Sequence, residues 1–334
     1  MKHWVILDSS EAIQYIGYVV DGADRAEGDR KVELTGYLHP LYAESLSEFG
    51  RLRLMPGSGG WILERAIPGY EDCDAMGCYP IFVCRDWGQL SDDLAGVGND
   101  LLSLAIVTDP FGNYTLADLQ ACFTTVVPFK EHHVIDLSQS GHAQVSKHHR
   151  YYAKKSLEKV SVETCVNPAQ FLDDWVDLYG ALIQRHCLKG IQAFSRKAFE
   201  RQLRVPGLVI LRAVYEGKTV GAHLWYLHGD VAYSHLAAFN STGYELMASY
   251  ALYWSAVDYL AGRARWLNIG AGAGTKNDAS DGLAQFKRGW AKETMIVYFC
   301  GRVFDPSRYE AITAEKGITG THYFPAYRQG EFRD

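Results

Sequence analysis

The apolar positions along the chain change period several times, and each change marks an element. Short apolar runs bounded by glycine or charge read as strands: His3 to Leu7 at an edge, Trp61 to Leu63 after the turn PGSGG (Pro56 to Gly60), Leu101 to Val107, and His133 to Leu137. The third stops at Asp109-Pro110-Phe111-Gly112. Leu116 to Phe123 carries the spacing of a short amphipathic helix, and Asp21 to Arg30 is a polar loop. Strands alternating with helices indicate an α/β or α+β unit, with a strand order that periodicity leaves open.

The second half is more regular. Lys159 to Val166 alternates as a strand does. Pro168 opens a helix whose stripe is Phe171, Trp175, Leu178, Leu182 and Ile183, and Ser195 caps another from Lys197 to Leu203. Three runs follow, Leu208 to Tyr215, Thr219 to Leu227 and Val231 to Ala238. Glu216-Gly217 and His228-Gly229-Asp230 separate them, as in an antiparallel meander. Leu246, Tyr250, Trp254 and Val257 mark a long helix ended by Gly262. A strand at Trp266 to Ile269, a glycine-rich loop (Gly270 to Gly274), a helix within Asp281 to Trp290 and a strand from Glu293 to Cys300 complete the order.

Length and charge narrow the classes. At 334 residues the chain is long for one domain, and SQSG (Ser138 to Gly141) is the natural boundary between domains at 1–140 and 141–334. No apolar run approaches the roughly 20 residues of a membrane span. The apolar stretch in MKHWVILDSS is too short for a secretory signal. Seven cysteines, an odd number, fit a reducing compartment, so the expectation is a soluble cytoplasmic protein. A net charge of −6 argues against a broad DNA-binding surface. The exception is local: Lys147, Arg150 and Lys154 share one face of a helical stretch and form a candidate phosphate clamp.

Candidate chemistry is sparse. Cys73, Cys78 and Cys84 are separated by four and then five residues, not the two of a compact zinc knuckle, and free thiols are expected. Paired histidines among His132, His133, His142, His148 and His149 point different ways along an element. No metal is expected. Gly270, Gly272 and Gly274 after a strand imitate the turn that cradles dinucleotides or S-adenosylmethionine, but that turn normally begins a doubly wound sheet, and this one comes near the end of the chain. The better reading is a tight loop lining a substrate channel, with Gly272 and Gly274 as contacts and the Phe286-Lys287 pair supplying a fixed cation beside an aromatic anchor.

The order of elements, with SKHHRYYAKKS, RHC, DVAYSHLAA and GLAQFKRGW, resembles the GNAT acyltransferases, and within them the Fem-type proteins. The likeness covers about residues 145 to 303 well and residues 1 to 140 mainly by position and length. It implies an α/β (α+β) chain of two tandem GNAT-like domains, each a mixed, mostly antiparallel sheet flanked by helices, the first one degenerate. It implies N-acyl transfer from an acyl-CoA, or from an aminoacyl-tRNA as in Fem-type proteins, to a small-molecule or envelope-precursor amine. Lys287 matches the family lysine that meets the developing oxyanion, and Arg185 and His186 fall where the acceptor is met. His235 and His223 are alternative bases; a three-residue hairpin loop puts them on one face, a two-residue loop on opposite faces. Tyr233, on the face of His235, is placed to orient substrate or relay a proton. No GxSxG element or Cys–His signature is present, so direct attack by the amine is expected. Asn240 to Leu246 departs from the CoA pyrophosphate loop, keeping Gly243 and adding Glu245. A non-catalytic binding module is a further reading, and a methyltransferase built on GAGAG the last.

Overall fold

The computed structural model of the protein describes residues 33–98, 100–139, 141–274 and 281–331. Its strands in the first half are β1 (Arg51–Leu54), β2 (Trp61–Ala66), β3 (Cys73–Gly77), β4 (Ser103–Val107) and β5 (Thr125–Asp136). In the second half they are β6 (Ser161–Thr164), β7 (Leu208–Tyr215), β8 (Lys218–His228), β9 (Val231–Phe239), β10 (Trp266–Gly270) and β11 (Glu293–Val303). They form one sheet in the order β1-β2-β3-β4-β11-β5-β10-β9-β8-β7-β6. Pairing is antiparallel except at β3–β4 and β9–β10. The expected mixed, mostly antiparallel sheet is therefore present.

Helices cover both faces. The early ones are α1 (Pro40–Glu44), α2 (Leu90–Gly96) and α3 (Leu116–Cys122). Then come α4 (Lys147–Leu157), α5 (Leu172–His186), α6 (Arg196–Gln202), α7 (Ser241–Glu245), α8 (Ala248–Leu260), α9 (Gly282–Arg288) and α10 (Pro306–Glu315). The period-two alternation of β8 shows how the layers are specified. Leu224 and Tyr226 pack with Trp175 and Tyr179 of α5 and Phe199 of α6. Trp225, between them, packs on the other face with Ala251, Leu252 and Ala256 of α8. Small residues on α8 let that helix lie close to the sheet.

One exchange matters for function. β5, from the first half of the sequence, lies between β10 and β11 of the second, and β11 reaches on to pair with β4. The sheet is thus continuous across the Ser138 to Gly141 junction, which falls between β5 and α4. β5 is also longer than the His133 to Leu137 run suggested. Its first part is masked in the pattern by Pro128, Lys130 and Glu131 and by a register shift opposite Val297 and Tyr298.

The β8–β9 loop has two residues, Gly229 and Asp230, because His228 pairs with Val231. The ring contacts of His235 with Tyr37 and Tyr226, and of His223 with Trp225 and Tyr253, put the two histidines on opposite faces. The strand read at His3 to Leu7 and the loop at Asp21 to Arg30 lie outside the described residues.

The segment after β11 closes on the first strands through charge. Arg328 donates to both oxygens of the fully buried Asp74 at 2.5 and 2.9 Å, and Tyr327 shares a hydrogen bond with Ser103. Removing one partner of a buried pair leaves a charge without compensation. Arg328→Ala leaves Asp74 with Arg65, at 3.5 Å, as its ion-pair partner among the described residues. It is expected to lower the urea unfolding free energy by about 3 kcal/mol.

Candidate active site

The site starts where two strands part. β9 and β10 run parallel and pair at Val231–Trp266, Ala232–Leu267 and Tyr233–Asn268, whereas β9 continues from Ser234 to Phe239. β10 ends at Gly270, whose φ of +74° suits glycine, and the chain turns into the Ala271 to Gly274 loop. Asp281 returns it to order by capping α9, its carboxylate accepting the amides of Ala273 at 3.0 Å and Ala284 at 2.8 Å. At Gly272 a Cβ would lie 2.7 Å from that carboxylate and 2.9 Å from Ala284 Cβ, so the close approach requires glycine.

Lys287, on α9, points its ammonium back at this loop. It is 8% exposed and donates to the Ala271 carbonyl at 2.6 Å. Burial pushes its pKa down to about 7; the Asp281 carboxylate pulls upward and Lys130 adds to the depression. Lys130 on β5 is also buried and donates to the carbonyls of Ala273 at 3.0 Å and Gly272 at 3.5 Å. Next to it on the strand face, His132 Nδ1 donates to Asn268 Oδ1 at 3.1 Å, which also accepts the Gly270 amide at 2.9 Å. His132 and His223 are both pushed to about 3, by burial first and by the Lys287 charge second, and so are neutral near pH 7.

On the face carrying α5 and α6, Tyr233 donates to both oxygens of Asp109 at 3.1 and 2.9 Å. Asp109 is 4% exposed, and burial raises its pKa to about 6 against the lowering hydrogen bonds from the Phe111 amide and Tyr233. Tyr37 and Phe111 ring contacts surround Tyr233. His235 belongs to the same layer but is closed off. Its Nδ1 lies 3.2 Å from the Tyr37 hydroxyl and its Nε2 3.2 Å from Gln202 Oε1, and burial pushes it to about 3. Two committed nitrogens and so low a pKa do not suit a base. His223 is no better placed: it is fully buried with Nε2 2.8 Å from Ser234 Oγ.

The other residues singled out from the sequence divide. Gly272 and Gly274 lie in the loop that receives Lys287. Phe286 packs its ring against His149, Tyr250 and Tyr253, which makes it an anchor of α9 on α4 and α8 rather than a substrate contact. α4 is tied to the far end of α9: Ser146 N donates to Gly289 O at 2.8 Å, and His149 Nε2 to Phe286 O at 2.8 Å. The face bearing Lys147, Arg150 and Lys154 therefore belongs to the helix next to the one that carries Lys287, with both lysines exposed. Arg185 and His186 are exposed at the end of α5. The Arg185 guanidinium lies 4.0 Å from the Tyr244 ring centre and so links α5 to α7.

Two loops differ from phosphate cradles, which offer free amides. The Ala271 to Ala273 carbonyls face ammonium groups, and the amides of Gly270 and Ala273 are taken by side-chain oxygens. After β9, α7 stands where the pyrophosphate loop was sought. The amides of Gly243, Tyr244, Leu246 and Met247 are bonded within that segment. Gly243 packs so tightly that a Cβ would meet the Val220 carbonyl at 2.1 Å. Among the described residues no group of three His, Cys, Asp or Glu side chains could hold a metal ion, and no helix is long and apolar enough to cross a membrane.

Sequence reasoning passed over Asp109, Lys130 and the His132–Asn268 contact. Asp109 stood in a DPFG turn and read as a strand terminator. Lys130 sat in a stretch too polar to read as a strand.

This geometry has relatives. Residues 142–288 match the acetyltransferase (GNAT) domain family. The crystal structure of FemX superposes with a TM-score of 0.60 at 11% identity, over 84% of this chain and 96% of that one. The C-terminal domain (DUF2156) of a putative lysylphosphatidylglycerol synthetase from Agrobacterium fabrum gives 0.56 at 14% identity, over 84% and 92%. L-PGS from Bacillus licheniformis gives 0.54 at 13%, over 85% and 97%. No curated protein sequence matches the chain. The protein is a GNAT-fold α/β chain. Residues 142–288 carry the GNAT domain match, and the fold over 84% of the chain is shared with FemX.

Lys287 carries a stability prediction. Its pKa is 10.5 unfolded and about 7 folded, so the unfolded state holds more protons between those values and stability rises as pH rises through that window. The full difference corresponds to about 5 kcal/mol at acidic pH. Lys287→Met is expected to melt at least about 2 °C higher than the wild type at pH 6, the gap closing toward pH 10, by calorimetry across pH.

Proposed function

We propose that the protein is an N-acyltransferase that moves an acyl group from an activated donor to an amine by direct attack. The observation that carries this reading is the parting of β9 and β10 with the buried Lys287 ammonium at its end. The donor carbonyl enters the parting. Its oxygen takes the Lys287 N–H now spent on the Ala271 carbonyl, so positive charge meets the oxyanion as it forms. From the other face the Tyr233–Asp109 pair receives the acceptor. The acceptor's ammonium first gives one proton through the Tyr233 hydroxyl to Asp109, which leaves a neutral amine to attack the carbonyl carbon. As the C–N bond forms and the bond to the donor's sulfur or oxygen breaks, a second proton leaves the new amide nitrogen and goes to the leaving group. A carboxyl titrating near 6 is matched to this task at neutral pH.

The donor is the finer question. An acyl-CoA thioester fits the GNAT domain. An aminoacyl ester on tRNA is the second reading, and two observations favour it: α7 uses its own amides where a pyrophosphate would bind, and the Lys147, Arg150 and Lys154 face adjoins α9. A name such as lysylphosphatidylglycerol synthetase, borne by a neighbour of the same fold, also describes aminoacyl transfer. The acceptor class is a small-molecule or envelope-precursor amine. We further propose that the tandem division falls near residue 140, the first GNAT-like unit being degenerate.

Amide formation measured with acyl-CoAs and with charged tRNA tests this reading and separates the donors. With the productive donor, Lys287→Met and Asp109→Asn should each lower kcat/KM by about 10²- to 10³-fold. Loss of RNase sensitivity in an active preparation would remove the tRNA reading. The pH profile should rise through about 6 as Asp109 ionises and fall above about 7 as Lys287 loses its proton. Lys287→Arg, charged throughout, should retain part of the rate and lose the alkaline limb.

A further inference from the structure

The loop after β10 is held from two sides, and one side belongs to the first half of the chain. Lys130 and His132 are two residues apart on β5 and share a face. His132 secures the start of the loop through Asn268, whose Oδ1 accepts the Gly270 amide. Lys130 secures its middle, donating to the carbonyls of Gly272 and Ala273. Asp281 holds the Ala273 amide from α9. Between these fixed points lies Ala271, whose carbonyl receives Lys287 at 2.6 Å.

We propose that Lys130 is a positioning residue for Lys287: by fixing two consecutive carbonyls of the loop it sets the place and direction of the Ala271 carbonyl and hence of the Lys287 ammonium. The first half of the chain thereby completes the site of the second. This rests on the reading of Lys287 as the group that meets the acyl oxygen. A buried ammonium spent on backbone carbonyls is poorly placed to contact substrate itself, but it holds a loop whose displacement by an ångström would misdirect Lys287. Its charge also acts on Lys287. Among the described residues, the groups coupled to that ammonium are Asp281 at the cap of α9, Lys130, His132 and His133 on β5, and His223 on β8.

The test uses the full chain with Lys130→Gln and Lys130→Arg. The Lys287 titration is followed by NMR of 13C-labelled lysine and assigned by the resonance missing in Lys287→Met, and steady-state kinetics are measured in parallel. Lys130→Gln should raise the Lys287 midpoint by about half a pH unit or more, because a like charge is gone. It should lower kcat by about 10- to 100-fold with donor KM within about twofold. Lys130→Arg keeps the charge and should leave the midpoint near the wild-type value. An unchanged midpoint and kcat in Lys130→Gln overturns the proposal, as does a change confined to melting temperature or to KM. A moved midpoint in a protein forming no amide refutes the transferase reading and the positioning role with it, whereas amide formed at an unchanged kcat in Lys130→Gln refutes the positioning role alone.

Discussion

Holding an ammonium in a dry place is the constraint around which this molecule is built. Lys287 gives up most of its hydration, and among the described residues the Ala271 carbonyl and the Asp281 carboxylate compensate only in part, so that its pKa falls to about 7. Asp109 makes the opposite compromise: burial raises its pKa to about 6 despite the hydrogen bonds from Phe111 and Tyr233. Both groups cost stability near neutral pH. The aromatic and aliphatic layers on either side of the sheet, with Trp175, Trp225 and Trp290 fully buried, supply the apolar burial that offsets them.

The sheet makes this arrangement possible. A strand from the first half is wedged between the two strands that bracket the Gly270 to Arg288 segment, so the loop receiving Lys287 is braced from β5 as well as from α9. The same insertion keeps strand pairing continuous on both sides of the boundary expected from SQSG. Parallel pairing of β9 with β10 lasts three residues and stops where Tyr233 faces Asn268. At that point the phenol bonded to Asp109 and the amide bonded to His132 are neighbours in register.

Much of the second half was legible because each element there is amphipathic with one clear period. The stripe Trp175, Leu178, the cap at Ser195 and the meander around Gly217 and Gly229 all appear where the pattern put them. Lys287 could be singled out because its helix follows a glycine loop after a strand, a local signal. What escaped depends on contacts distant in sequence. Lys130 meets Ala273 across 143 positions, and Asp109 meets Tyr233 across 124. Neither has a neighbour in the sequence that announces it. The role of His235 turned on parity: with two residues in the β8–β9 loop it faces the Tyr37 layer, where its nitrogens are already engaged. Phe286 was correctly seen as an aromatic beside a cation, but its ring serves packing.

The central claim is that acyl transfer occurs at the parting of β9 and β10, between Lys287 and the Tyr233–Asp109 pair. The most direct measurement is a crystal structure with a stable bisubstrate analogue in which an amide joins the acyl donor to the amine acceptor. The account predicts the analogue's carbonyl oxygen at about 3 Å from Lys287 Nζ, with that nitrogen released from Ala271. It also predicts the amide nitrogen on the side of the Tyr233 hydroxyl. An analogue bound elsewhere, with Lys287 still on the Ala271 carbonyl, would contradict it.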